Sequence, residues 1–185
     1  MSTGTLLAII IPVVVVLALV AVAASLLTRR RRLRQRFGPE YERTVGGAES
    51  RRAGERELKE RERRHDSLDI KPLPAVSRER YTREWSGVQE EFVDRPAEAV
   101  HDADRLVTSL MHERGYPTEG FEQQAADLSV EHGSTLEHYR AAHEVETLST
   151  RSKATTEQLR GAMVHYRALF DELLSDGGRA QPARS

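Results

Sequence analysis

The stretch LLAIIIPVVVVLALVAVAASLL, residues 6–27, decides how the rest of the chain is read. It holds no charged side chain, and TRRRRLRQR, residues 28–36, follows it at once. A helix of that length measures about 33 Å, enough for the ~30 Å hydrocarbon core of a bilayer. In lipid the backbone must satisfy its own hydrogen bonds, so a single span has to be helical. Pro12 removes one N–H, which membrane helices tolerate better than soluble ones. The competing interpretation is a cleaved leader, because Ala21-Val22-Ala23 has the small-x-small form of a cleavage site. Three features oppose it. Residues 1–5 contain no Lys or Arg, the apolar run is longer than a leader's core, and arginines stand directly behind it. The expectation is an uncleaved transmembrane helix over residues 6–28.

Orientation follows from Arg29, Arg30, Arg31, Arg32, Arg34 and Arg36. Basic residues collect on the cytoplasmic side of a span, and none precedes this one. The expected arrangement in the cell membrane is a short outer N-terminus, residues 1–5, with everything beyond residue 28 in the cytoplasm. The chain has no Cys, so disulfide and thiolate chemistry is excluded.

The net charge of −1 conceals a gradient. Residues 29–36 carry +6, residues 39–70 carry −1 and residues 71–185 carry −6. The arginine block is expected to face anionic lipid headgroups. With no aromatics interleaved, it is a poor nucleic-acid footprint, so the bilayer is the expected partner and nucleic acid is not.

Residues 29–47 form a basic juxtamembrane segment interrupted at Gly38-Pro39, with Phe37 and Tyr41 expected at the membrane–water interface. Residues 48–65 are densely charged and nearly devoid of apolar residues. Acid-first pairs such as Glu55–Lys59, Glu57–Arg61 and Glu60–Arg64 predict a solvated helix acting as a spacer. Pro72 and Pro74 make the following residues an extended connector, so that 48–76 is spacer plus connector. Residues 77–175 are then helical throughout. Tyr81, Trp85, Val88 and Phe92 form one apolar stripe, capped by Ser77. A second helix runs from Pro96 to Glu113 and ends at Arg114-Gly115-Tyr116-Pro117, with Gly at the cap and Pro after it. Thr118 can cap a third helix, Ser134-Thr135-Leu136-Glu137 has the form of a capping box for a fourth, and Thr155 or Thr156 opens a fifth. Residues 176–185 are expected to be a disordered tail. The fold class is therefore all-α: a transmembrane helix, a charged juxtamembrane helix and a cytoplasmic antiparallel helical bundle.

Arg36-Phe37-Gly38-Pro39-Glu40-Tyr41 behind an N-terminal anchor resembles a family of small single-pass membrane proteins from high-GC, actinobacterial-type bacteria, of uncharacterised function. The likeness extends to residues 85–96, to Arg114-Gly115-Tyr116-Pro117 and to Tyr139-Arg140-Ala141-Ala142-His143. It implies a location and no activity.

No phosphate-binding loop, dinucleotide fingerprint, nucleophile elbow or zinc-protease motif occurs. Glu98-Ala99-Val100-His101 has the E-x-x-H form of carboxylate di-iron bundles, but its only companion, Glu62-Arg63-Arg64-His65, lies in the spacer. His138 and His143 are five apart and do not share a helix face. No cofactor is expected. Trp85 with Tyr81 is expected to anchor the core. A groove formed by Tyr81, Trp85 and Tyr139 is the open alternative, as a face for a protein partner or a small ligand. The composite expectation is a non-catalytic, membrane-anchored interaction or scaffold protein. The alternative is a tethered enzyme or ligand-binding domain with its site between the bundle helices.

Overall fold

The structure, a computed structural model, describes residues 3–175, without the side chains of residues 3–12, 15 and 26. The expected tail, residues 176–185, and part of the expected span and outer N-terminus lie outside the described residues. Eight helices and no strand occur among the described residues. They are α1 (Thr3–Phe37), α2 (Pro39–Gly47), α3 (Arg51–Asp66), α4 (Ala75–Glu91), α5 (Pro96–Glu113), α6 (Phe121–Leu128), α7 (Leu136–Thr150) and α8 (Thr156–Ser175).

Helices α4, α5, α7 and α8 form an up-and-down four-helix bundle whose register is visible in its cross-contacts. Trp85 on α4 meets Phe170 on α8, and Arg78 Nε reaches Leu174 O at 3.1 Å, so these two run antiparallel. His101 pairs with Glu146, and Asp104 lies near His143, which sets α5 against α7 in the opposite sense. One core fills the bundle, built from Trp85, Val100, Val107, Leu110, Leu136, Tyr166, Phe170 and their neighbours. The connector after α3 packs on it through Leu73, and Lys71 N–H donates to Arg114 O at 2.8 Å.

A second, smaller core lies at the end of α1. It contains Leu33, Phe37, Tyr41, Leu58 and Val130, with Val45 against it. This corrects the expectation that Phe37 and Tyr41 sit at a membrane interface: they are 0 % and 1 % exposed. It also corrects the solvated spacer. The charged helix forms as α3, but Gly54, Leu58 and His65 are buried and the helix packs along α2. The reason is that α1 ends at Gly38, whose φ of 53° is cheap only for glycine. The chain doubles back there, and α2 and α3 fold beside the foot of α1 before the bundle begins.

Several helix starts also differ from expectation. Helix α4 begins at Ala75 behind Pro74, so Ser77 is not its cap, and α6 begins behind Gly120 rather than Thr118. The capping box does not form. Thr135 is the N-cap of α7 without a cap bond, and its hydroxyl donates to His132 O and Glu172 instead. The cap of α8 does form, with Gln158 N–H donating to Thr155 Oγ1 at 3.3 Å and Thr155 N–H to Gln158 Oε1 at 2.8 Å.

Among the described residues no helix is long and apolar enough to cross a membrane. The described side chains of α1 start at Val13, and the arginines start at residue 29, so the apolar part available there is short of a span. Within it Val13, Val14, Val16, Leu17, Leu19, Val20, Val22 and Leu27 are all more than half exposed and touch no other helix as core.

Candidate functional site

The densest charge arrangement centres on Glu40 of α2, which is buried. Arg140 of α7 donates to both of its oxygens, at 2.6 and 2.8 Å, and Arg61 of α3 donates at 3.0 Å. Arg140 also reaches Glu137, which receives Arg43 at 2.9 Å. Burial alone raises the pKa of Glu40. The hydrogen bonds and charges of Arg140 and then Arg61 more than offset it and hold the carboxyl below its ordinary 4.5. Glu40 is thus a permanent anion that clamps α2, α3 and α7 together. It offers no proton to chemistry at neutral pH.

The arginine block is divided by the fold. Arg30 pairs with Glu55 at 3.4 Å, Arg32 with Glu62 at 3.3 Å, and Arg34 with Glu42 at 2.8 Å. Arg36 bridges Glu62 at 2.7 Å and Asp66 at 3.1 Å. Four of the six arginines expected to face lipid therefore meet carboxylates of α2 and α3, which is a correction with a simple cause. Of the acids read as partners along one helix, Glu55 turns onto α1 while Glu57 does pair with Arg61; Glu42, Glu62 and Asp66 supply the other contacts to α1. Arg29 and Arg31 are exposed, without an ion pair to any described residue.

A buried polar chain links α3 to the bundle. His132 is fully buried, with Nδ1 2.8 Å from Glu172 Oε1 and Nε2 3.2 Å from the Tyr116 hydroxyl. His65 lies on the other side of Tyr116, ring centroids 6.2 Å apart. Its two ring nitrogens have no hydrogen-bond partner, although Glu131 stands 3.8 Å away and Asp66 3.9 Å. Burial pushes the His65 imidazole below its ordinary 6.5. A histidine–carboxylate pair is the combination used for general-base work, but here the imidazole is fully buried and both of its nitrogens are engaged, so the pair ties helices together.

The three aromatic residues singled out as a groove face lie in the core. Trp85 stacks on Phe170 at 4.7 Å with its indole N–H unpaired, and Tyr139 donates to Gln124 Oε1 at 2.6 Å. Burial, then the charge of Asp104, raises the pKa of Tyr139. Tyr81 alone also borders the surface. Its hydroxyl donates to Glu113 at 2.9 Å, and burial and that bond push its pKa up to about 12. It edges a wide, open groove shared with Thr108, Ser109, His112, Glu113 and Thr118.

The E-x-x-H residues do not converge: His101 meets Glu146 at 3.3 Å on the surface, while His65 is buried beside Tyr116. No group of three or more His, Cys, Asp or Glu able to hold a metal occurs among the described residues. Sequence reasoning missed one pair, His138 and His165, whose Nδ1 atoms approach to 2.9 Å across α7 and α8. The two lie on different helices, so their spacing along the chain carries no signal. Sequence reasoning also missed Glu40, Arg140 and His132, whose partners lie up to a hundred residues away along the chain. A comparison with protein-family models, curated proteins and solved structures found no match to this chain.

Proposed function

We propose that this chain is a membrane-anchored interaction or scaffold protein, with α1 as a single transmembrane helix and residues 29–175 as a cytoplasmic helical domain. The observation that carries the anchor is the exposed apolar surface of α1. From Val13 to Leu27 every described side chain on every side of the helix projects away from the domain. A helix apolar all round belongs in a protein core or in a bilayer, and no described element covers this one. Its polar side chains fit the same reading. Ser25 donates to Val22 O and Thr28 to Ala24 O, each at 2.8 Å, so neither hydroxyl needs water. The arginines at its end favour the cytoplasmic orientation.

The test is extraction of membranes with alkaline carbonate, followed by protease digestion of vesicles with the cytoplasmic face outward. The full chain should stay with the membrane, and the domain should be digested. Release by carbonate sinks the anchor, and protection of the domain reverses the orientation. The second reading, a ligand site, rests on the open groove beside Tyr81. Thr108→Trp there should abolish ligand binding without unfolding the bundle, and a chain that retains its partner in that variant favours the scaffold reading.

A further inference from the structure

We propose that the start of α3 and the end of the α1 apolar run together form a binding collar for anionic phospholipid headgroups, a role that rests on the anchor reading above. Height along α1 brings these two elements together. The chain reverses at Gly38, and Arg34 pairs with Glu42 and covers the Tyr41 ring, so residues of α1 and α2 face each other at equal distances from the reversal. Continued at ~1.5 Å per residue, that register sets the α2–α3 turn, residues 48–50, level with Thr28, where the apolar run ends. Helix α3 then climbs in the same sense as α1: Arg30 meets Glu55, and Arg36 meets Asp66. Its first turn is therefore its membrane-side end.

Most cations at this level are left unpaired by the fold, Arg30 on Glu55 being the exception. Arg29 and Arg31 on α1, and Arg51, Arg52 and Arg56 on α3, are exposed and have no carboxylate partner among the described residues. The arginines further from the apolar run, Arg34 and Arg36, are all paired. Arg51 and Arg52 also occupy the first turn of α3, which holds no acid. A helix N-terminus disfavours cations there, and a bound anion relieves that repulsion while pairing both guanidiniums. Glu49, exposed, and Glu55, held by Arg30, are the acids at this height. Of the anions that could satisfy such a cluster, headgroup phosphates are the ones the anchor delivers to this height. The collar would hold the otherwise acidic domain down against the bilayer.

The test uses the full chain in nanodiscs, with Gly47→Cys carrying an environment-sensitive dye. The chain has no other cysteine, and space around Gly47 is open. Trace lipids bearing a nitroxide near the top of the acyl chain are added on either phosphatidylglycerol or phosphatidylcholine. The expected result is preferential quenching by the anionic lipid, with the preference falling about tenfold in R51Q/R52Q and persisting in R51K/R52K. Equal quenching by both lipids, or an anionic preference untouched by R51Q/R52Q, overturns the collar while leaving the anchor intact. A chain that carbonate strips from vesicles overturns the anchor and the collar together. Unchanged Trp85 emission in every variant shows that the bundle has stayed folded.

Discussion

At the scale of single residues, the molecule is held by polar groups that its hydrophobic pattern does not reveal. Glu40 is the clearest case. Removing one partner of a buried, hydrogen-bonded charge leaves the others uncompensated, so Glu40→Gln should destabilise the domain by about 3 kcal/mol in a denaturant titration followed by Trp85 emission. Because its folded pKa lies below 4.5, its contribution is present above that pH and is lost as pH falls through the lowered value. His65 acts in a different window. Burial lowers its pKa, so below about 6.5 the unfolded chain takes up the proton first and the folded state loses ground. Stability measured between pH 7.5 and 5.5 should therefore fall, and His65→Gln should flatten that slope. An unchanged slope in the variant would mean that some other group governs the acid sensitivity. Neither residue could be singled out from the sequence. Glu40 sits in a motif noted for its resemblance, and its two arginines come from helices that only the fold brings near.

At the scale of elements, legibility depended on whether the helix was held by apolar residues or by charge. Helix α5 was readable to its ends, because Val100, Ala103, Val107, Leu110 and Met111 mark one face and Pro96 and Gly115 mark the termini. Helix α3 was readable as a helix and unreadable as a packed one. Its single Leu58, the notch at Gly54 and the acids aimed at α1 replace an apolar stripe, and periodicity carries no signal for cross-helix ion pairs. Caps failed for a related reason: Ser134 and Thr118 have suitable side chains, but chain reversals at Gly120 and His132 fix the helix starts first. The joint between the two cores is a close contact. A Cβ on Gly133 would lie 2.4 Å from the Phe37 carbonyl oxygen, which is backbone and cannot move aside alone. Gly133→Ala should therefore push the foot of α1 off the connector between α6 and α7, at a cost of about 2 kcal/mol. Amide exchange should speed up in α2 and α3 while α5 and α8 keep their protection. Uniform loss of protection would show that the two cores unfold as one.

At the scale of the whole molecule, the domain boundary moves. The sequence suggests a bundle beginning at residue 77 on a solvated spacer. The packed structure instead begins at Leu33, and every residue before it that the structure describes lies outside both cores. The exposed apolar part of α1 and the domain are therefore continuous through one helix, and α2 and α3 brace its end through ion pairs and a small core. A domain built this way follows the direction of the apolar part of α1, whereas a bundle on a flexible stalk would not. The consequence can be tested by truncation. A fragment of residues 29–175 keeps both cores and every ion pair of the foot, so it should be fully helical without detergent and melt cooperatively. A fragment of residues 68–175 keeps the larger core but strips Val130 and Asp127, both buried in the whole chain, of their partners on α1 and α3. It also removes Glu40 from Arg140 and Arg64 from Asp127. It should melt at least about 5 °C lower, by circular dichroism at equal concentration, and bind a hydrophobic dye. Equal melting of the two fragments would return α2 and α3 to the role of a spacer, and with it would go the rigid coupling between α1 and the bundle.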